Sequence, residues 1–284
     1  MTTSIQNRVW FITGASTGFG RILAEELLKA GNKVAATARR VEQVADLEEQ
    51  YPEQALALPL DVTKQDSIDA AAKAALSRFG HVDVLVNNAG YGITGAVEET
   101  VAEEYDPVFA TNVFGLVNVT KAFLPQMRER RSGHILNLSS IGGLMGLPGW
   151  GYYNATKFAV EGLSEALATE VGPLGIKVTI IEPGPFRTDF LGRSGVVAKT
   201  HIADYAETVG KTREYRESNN GKQAGDPLKA VHAMMQVVDS PEAPLHLLLG
   251  SIALERFEGK LDRWHKEIEA WRSVTVGADY PKED

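Results

Sequence analysis

Two side chains near the middle of the chain have the types and spacing to move a proton at neutral pH. Tyr153 and Lys157, in the stretch YNATK, are four residues apart. On a helix that interval sets them one turn apart on the same face. A free phenol titrates near pH ~10. An ammonium about 4 Å away, at an effective dielectric of about 20, favours the phenolate by roughly 4 kcal/mol. That equals about three pKa units, so Tyr153 is expected to be an acid or base usable near neutrality. Spacing alone does not require chemistry, because many helices carry Tyr and Lys at this interval.

Composition sets the outer bounds. A chain of 284 residues, 44% hydrophobic and 23% charged, is ordinary for a globular protein with a sizeable core. The net charge of −8 argues against nucleic acid as a partner. The absence of cysteine excludes disulfides, thiolate metal sites and a cysteine nucleophile. His81, His134, His201, His232, His246 and His265 are scattered without HxxxH spacing, so no metal site is expected. The N-terminus lacks an apolar signal core and no apolar run looks long enough to span a bilayer, so a cytoplasmic protein is expected.

The elements that must position the pair follow from periodicity. Val9–Thr13 reads as a buried strand, and TGASTGFG at 13–20 leads into a helix with Ile22, Leu23, Leu27 and Leu28 on one side, closed by Gly31. A strand, a glycine-rich turn and a helix aim free N–H groups at a phosphate. The spacing is GxxxGxG and not the standard GxGxxG, and a turn without a ligand remains open. A second strand, Lys33–Ala38, ends in Arg39-Arg40, where NAD-preferring sites place an acid. Guanidinium groups would hold a 2′-phosphate, so NADP is expected over NAD, with Arg39 the main contact. The alternative is a solvated helix start.

Further along, Val41–Gln50 reads as a helix, Ala55–Leu60 as a strand ending at Asp61-Val62, Lys64–Phe79 as a helix and Val82–Val86 as a strand entering NNAG at 87–90. The βαβαβαβ order predicts a parallel sheet covered on both faces, with ligands beyond the strand carboxyl ends. Helices about Val101–Phe109 and Asn112–Arg130, the strand Ile135–Leu138, the helix Tyr153–Val171 and strands Lys177–Ile181 and Leu245–Leu249 complete the pattern. Asp226 with Pro227 marks a further helix start. Residues 186–225 are polar and weakly periodic, as in a substrate lid or a plain surface excursion. Leu254, Phe257, Leu261, Trp264, Ile268 and Trp271 form an apolar stripe on an amphipathic helix over 251–276, expected to pack on the domain or on a second subunit.

TGASTGFG at 13–20, NNAG at 87–90, Asn112, the ILNLSS run ending at Ser140, YNATK at 153–157 and PGPFRT at 183–188 occur in order and at suitable intervals. In that combination the chain resembles the short-chain dehydrogenase/reductases over roughly residues 7–250. The resemblance implies an α/β fold: one doubly wound Rossmann-type domain of about seven parallel strands. It also implies a catalytic set of Asn112, Ser140, Tyr153 and Lys157. Ser140 takes the place over Ser139 because the family's serine commonly lies thirteen residues before its tyrosine. Tyr152 is excluded because Thr156 stands four residues beyond it.

By the same resemblance, NADP contacts are expected from Gly14, Ser16, Thr17, Gly18, Phe19 and Gly20, from Arg39, Asp61 and Val62, and from Asn88, Ala89 and Gly90. Tyr153, Lys157, Pro183, Gly184, Phe186 and Thr188 would complete that set. Ser140 would hold the carbonyl oxygen and Tyr153 deliver its proton; Lys157 would lower the tyrosine pKa and bond the nicotinamide ribose, while Asn112 positions a water. Helix or strand capping is the plain alternative for Ser140 and Asn112. Leu144, Met145, Leu147, Trp150, Phe186 and Phe190 flank the site and suggest a small hydrophobic ketone or aldehyde and its alcohol, with reduction the usual direction. Rival readings are a catalytically silent NADP(H) sensor or scaffold, and a methyltransferase, in which the Tyr–Lys pair would be idle. Relatives usually associate, and a homodimer or homotetramer is expected.

Overall fold

The computed structural model describes residues 7–192 and 195–280. The N-terminal stretch 1–6, residues 193 and 194 of the expected lid, and the last four residues lie outside that description, so the reading of the N-terminus is not addressed by it.

In chain order the elements are β1 (Val9–Ile12), α1 (Gly18–Lys29), β2 (Lys33–Ala38), α2 (Ala45–Gln50), β3 (Ala55–Pro59), α3 (Gln65–Phe79), β4 (Val84–Asn87) and β5 (Gly92–Thr94). Then come α4 (Ala102–Phe109), a π-helical turn (Ala110–Gly115), α5 (Leu116–Arg130), β6 (Gly133–Leu138), α6 (Ile141–Leu144), α7 (Gly151–Val171) and β7 (Ile176–Pro183). The chain closes with β8 (Gly195–Val197), α8 (Lys211–Asn219), α9 (Pro227–Asp239), β9 (His246–Leu249) and α10 (Ser251–Val276).

Seven strands form one sheet in the order β3-β2-β1-β4-β6-β7-β9, every pair parallel. Alternate residues of a strand face opposite sides, and β1 shows the consequence. Trp10 and Ile12 join the core beneath α1 and α9, with Leu23, Leu27, Val231 and Met234. Val9 and Phe11 join the core beneath α3 and α5, with Ile68, Ala75, Phe123 and Met127. Helices thus cover both faces of an all-parallel sheet, the doubly wound α/β arrangement. The strand order reverses between β1 and β4, and the crevice beyond their carboxyl ends opens there.

Several local expectations change. The two helices foreseen on either side of residue 110 are one 29-residue helix, Ala102–Arg130, joined through the π turn. By length and composition that helix could cross a bilayer, contrary to the expectation of no such run. Its apolar face, however, lies in the protein: Val108, Val113, Leu116, Val119, Phe123 and Met127 are buried. Pro183 is the last residue of β7, paired with Leu249, and not part of a turn.

Segment 186–225 is more structured than its weak periodicity implied. β8 pairs in parallel with β5, an element too short to leave a sequence signal, and α8 follows. Buried polar groups hold the segment in place. Arg216 donates to the carbonyls of Leu191 at 2.8 Å and Val196 at 3.0 Å, and also bonds Gly195 O. Glu99 accepts from the N–H groups of Ala96 and Ile202, each at 2.8 Å, and is ion-paired to Arg213. Burial pushes the Glu99 carboxyl up, but those N–H donors and the guanidinium outweigh it and hold the pKa below the ordinary value.

Candidate active site

The turn after β1 is built for close approach. Gly14 and Gly18 have φ of +67° and +57°, a region L side chains rarely occupy. A Cβ on Gly20 would stand 2.5 Å from Asn88 Nδ2 and 2.6 Å from the Gly14 carbonyl, so this position has room only for hydrogen. Asn88, from the end of β4, braces the turn by donating Nδ2 to Thr13 O at 2.9 Å and Gly14 O at 2.8 Å. Thr13 Oγ1 accepts from the N–H groups of Asn88 and Ala89, both at 2.9 Å. Thr17, at the start of α1, makes no side-chain cap, and no acid lies in the first turn. The positive helix end with its free N–H groups is therefore open to an anion. A phosphate fits this cradle; Ser16, Thr17, Gly18 and Phe19 form its rim.

Arg39 and Arg40 project from the end of β2 as exposed side chains, with no ion pair among the described residues. Asp61 follows β3. Burial raises its pKa, yet hydrogen bonds from the Thr63 hydroxyl and N–H, with the charges of Lys64 and Arg39, keep it below the ordinary range. Val62 is buried against Gly115, and Gly90 lies beside Asn112 and Lys157.

The four residues named for chemistry come from two elements and one junction, and they converge. Asn112 sits inside the π turn and is 1% exposed. Its Nδ2 donates to Tyr91 O at 2.9 Å and to Thr156 Oγ1 at 3.1 Å, while Oδ1 accepts from Tyr91 N at 3.0 Å. Helix capping is thus not its role; the side chain ties α7 to the loop leading into β5. Ser140 follows β6 and caps α6, accepting from Gly142 N at 3.0 Å, and its hydroxyl and the Tyr153 ring both border Gly142. Asn154 clamps this loop to α7, donating to Gly142 O at 3.0 Å and accepting from Leu147 N at 2.8 Å.

The electrostatics differ from the simple expectation. Burial pushes the Tyr153 phenol up to about 12, opposed by the neighbouring Ser140 hydroxyl. Burial lowers Lys157 to about 8, partly offset by the Glu161 carboxyl. The Lys157 ammonium lies 5.8 Å from the centre of the Tyr153 ring and donates to Leu138 O at 2.6 Å. Desolvation of both groups therefore wins over their mutual effect in the protein by itself, and the expected three-unit depression of the phenol is corrected to a rise.

An aromatic wall stands against Tyr153. Its ring lies 5.7 Å from Trp150 and 5.2 Å from Phe190, and Trp150 and Phe190 stack at 5.9 Å. Gly92 makes the floor: a Cβ there would be 2.9 Å from both Phe190 and Trp150. Leu144, Met145 and Leu147 lie half-buried on the loop after Ser140. Phe186 does not belong to this wall. It packs edge-on to Phe19 at 5.4 Å and against Gly225, within the core beneath α1. Phe186 O accepts from Thr188 N at 2.9 Å, and the Thr188 hydroxyl caps the next turn at Phe190 N, while its methyl and Cβ face Gly18. Gly184 N donates to Leu249 O at 2.9 Å, so the stretch after β7 is held back toward β9.

One buried group escaped the sequence reading. Glu161 of α7, Glu182 of β7 and His246 of β9 offer ligand atoms all within 4.8 Å of one another. His246 Nδ1 lies 2.7 Å from Glu182 Oε1, and Ser139 donates a short hydrogen bond to Glu161. The three are 85 residues apart in sequence at the extremes, so only the pairing of β7 with β9 and the packing of α7 on β7 could reveal them. Burial raises both carboxyl pKa values, and the charge of Glu182 adds to the rise at Glu161.

A seven-stranded parallel sheet with a glycine cradle at its reversal point and a Ser–Tyr–Lys cluster beside it defines a Rossmann-type oxidoreductase architecture. The family model for short chain dehydrogenases matches residues 8–195. The oxidoreductase BOA17 of Botryotinia fuckeliana is 38% identical over 95% of this chain and 99% of its own length. A 3-ketodihydrosphingosine reductase of Bacteroides thetaiotaomicron is 40% identical over 87% and 90%. A short-chain dehydrogenase structure from Streptomyces avermitilis superposes with a TM-score of 0.91 at 46% identity, over 97% of this chain and 100% of that one. More distant structures of the fold carry nicotinamide cofactors: a 3-ketoacyl-(acyl-carrier-protein) reductase of Brucella melitensis with NADH (30% identity, TM-score 0.72, 87% and 98% covered) and a serine dehydrogenase with NADP+ (28%, 0.73, 85% and 94%). The chain belongs to the short-chain dehydrogenase/reductase family of oxidoreductases.

Proposed function

We propose that this protein interconverts a hydrophobic ketone or aldehyde and its alcohol, using NADP(H), with Tyr153 as the proton donor and acceptor. The observation that carries the reading is the position of Tyr153, which borders Gly142 together with the Ser140 hydroxyl on one side and meets the Trp150–Phe190 wall on the other. A carbonyl oxygen placed between the two hydroxyls would receive a hydrogen bond from each, and apolar substituents would lie on the rings.

A bound nicotinamide supplies hydride to the carbonyl carbon or takes it from the alcohol carbon. The remaining steps belong to the chain. Ser140 holds the oxygen as negative charge grows there, and Tyr153 gives it a proton. The Lys157 charge would stabilise the phenolate left when that proton is given, and a polar ligand beside the pair would reduce the desolvation behind the buried values given above. Gly14 to Gly20 would seat the phosphates on the end of α1, and Arg39 would meet a 2′-phosphate. Three similar proteins support the substrate class and chemistry: one is named a 3-ketodihydrosphingosine reductase, and two solved neighbours hold nicotinamide dinucleotides.

The test is NADPH consumption across a panel of lipophilic ketones, comparing wild type with Tyr153→Phe. The expected result is turnover by the wild type and a drop of about 10²–10⁴-fold in the variant, the usual range for a general acid. Turnover retained in Tyr153→Phe would remove the assigned proton donor. A wild type that binds NADPH yet reduces nothing in the panel would favour the sensor reading instead.

A further inference from the structure

From residue 261 to residue 276 every residue of α10 is exposed. Only the first ten residues touch the domain, through buried Ala253 and half-buried Ile252, Phe257, Gly259 and Lys260. Four turns of helix in water, without packing, are marginal on propensity alone. Yet this length carries Leu261, Trp264, Ile268 and Trp271, which are 46%, 53%, 53% and 64% exposed, and Leu254 at 51% continues the row.

The intervals decide what kind of surface this is. Leu254, Phe257, Leu261, Trp264, Ile268 and Trp271 follow spacings of 3, 4, 3, 4 and 3, the narrow seam of a coiled coil with these residues at the a and d positions. A helix lying on a membrane would instead present a cationic polar face. Here Arg256, Lys260, Arg263, Lys266 and Arg272 are matched in number by Glu255, Glu258, Asp262, Glu267 and Glu269.

We propose that α10 is a self-association element that pairs antiparallel with α10 of a second copy of this chain. In the register that aligns the seams, Leu261 faces Trp264 of the other copy, Leu254 faces Trp271 and Phe257 faces Ile268, so each large ring meets an aliphatic or smaller side chain. A parallel pair would stack Trp264 on Trp264 and Trp271 on Trp271. The flanking positions then complement one another: Lys260 meets Glu267 as an ion pair and His265 can donate a ring N–H to Glu258, each pair occurring twice by two-fold symmetry.

Lys260 adds an independent argument. Its ammonium bonds Leu144 O and lies 4.3 Å from the Trp264 ring centre and 5.1 Å from that of Phe158, with no carboxylate partner among the described residues. A glutamate from a second copy would supply the missing counter-charge. Phe158, 43% exposed on α7, extends the apolar surface beside it.

Sedimentation velocity on the full chain tests the pairing. Ile268→Glu should halve the sedimenting mass relative to wild type. Lys260→Glu and Glu267→Lys should each weaken association at least tenfold, whereas an equimolar mixture of these two variants should regain the wild-type mass, since both flanking pairs become complementary again. A wild type that is monomeric at tens of micromolar would overturn the proposal. So would an unchanged mass in Ile268→Glu, which places association on another face, or a mixture that stays dissociated. Flotation of monomeric wild type with phosphatidylcholine vesicles would assign the seam to lipid and equally overturn it.

Discussion

The Lys157 ammonium donates to the carbonyl of Leu138 at 2.6 Å, two residues before Ser140 on the same strand end. This bond fixes the helix that carries Tyr153 against the strand that carries Ser140. The cation, the hydroxyl and the phenol are thereby placed together before any ligand arrives. Lys157→Met keeps most of the side-chain volume but removes the charge and the donor. Ketone reduction is expected to fall by at least about 100-fold, as for loss of a proton-transfer partner. The lost bond to Leu138 is partly offset by relief of a buried charge, so the melting temperature should move by only a few degrees in a thermal scan. A drop in activity that simply tracked unfolding would contradict this account.

Cofactor choice is expected to rest on Arg39. A charge-assisted contact contributes about 1.5–3 kcal/mol, which is about 10–150-fold in affinity. Arg39→Ala should raise the Kd for NADPH by that factor and leave the Kd for NADH nearly unchanged, as read by fluorescence titration. Equal weakening of both would assign Arg39 to the solvated start of the next helix.

Glu161 and Glu182 give folding a distinctive pH dependence. Lys157, Glu165 and His246 are the charged or titratable groups that face them, with the Ser139 hydroxyl. Burial raises both folded-state pKa values, so the native protein holds protons that the unfolded chain has already released. Stability is therefore greatest below the ordinary glutamate value, roughly 4.3, as far as this pair is concerned, and is lost as pH rises through neutrality. Each retained proton contributes a slope of about 1.4 kcal/mol per pH unit. Glu182→Gln mimics the protonated partner and should flatten the decline, measured by urea unfolding at a series of pH values. An unaltered slope would show that the pair does not hold a proton.

Arg216 bonds the backbone around Phe190 at Leu191 and, farther on, at Gly195 and Val196. Removing it with Arg216→Ala should free that segment and loosen the aromatic wall. The expected outcome is a rise in KM for bulky ketones of about tenfold, corresponding to loss of roughly 1.4 kcal/mol of positioning, with little change in NADPH affinity. Faster proteolysis within 186–225 would accompany it. A KM unchanged for every substrate would make Arg216 a clamp without influence on the site.

Much of the frame was legible in the chain itself. Alternation of apolar runs with amphipathic stretches dictates a parallel sheet covered on both faces, because only that arrangement buries strands such as Val84–Asn87 on both sides. The glycines at 14, 18 and 20 announce a cradle, since positive φ and close backbone approach exclude a Cβ. The i, i+4 interval of Tyr153 and Lys157 fixes their shared face through helix geometry alone. Those signals are local, and local geometry is what a sequence encodes most directly.

Other features were settled only by long-range packing. The environment of Tyr153 and Lys157 is dry, and desolvation, which no spacing reports, reverses the expected direction of the phenol shift. Phe186 reads as a neighbour of Phe190 along the chain, yet the path of the backbone after β7 turns it toward Phe19. Glu161, Glu182 and His246 meet because β7 and β9 are adjacent in the sheet and α7 packs against β7. The sequence by itself determined which residues could react and which elements would carry them. The tertiary structure decided which of them share a buried, low-dielectric space, because burial and strand order arise from contacts between distant parts of the chain.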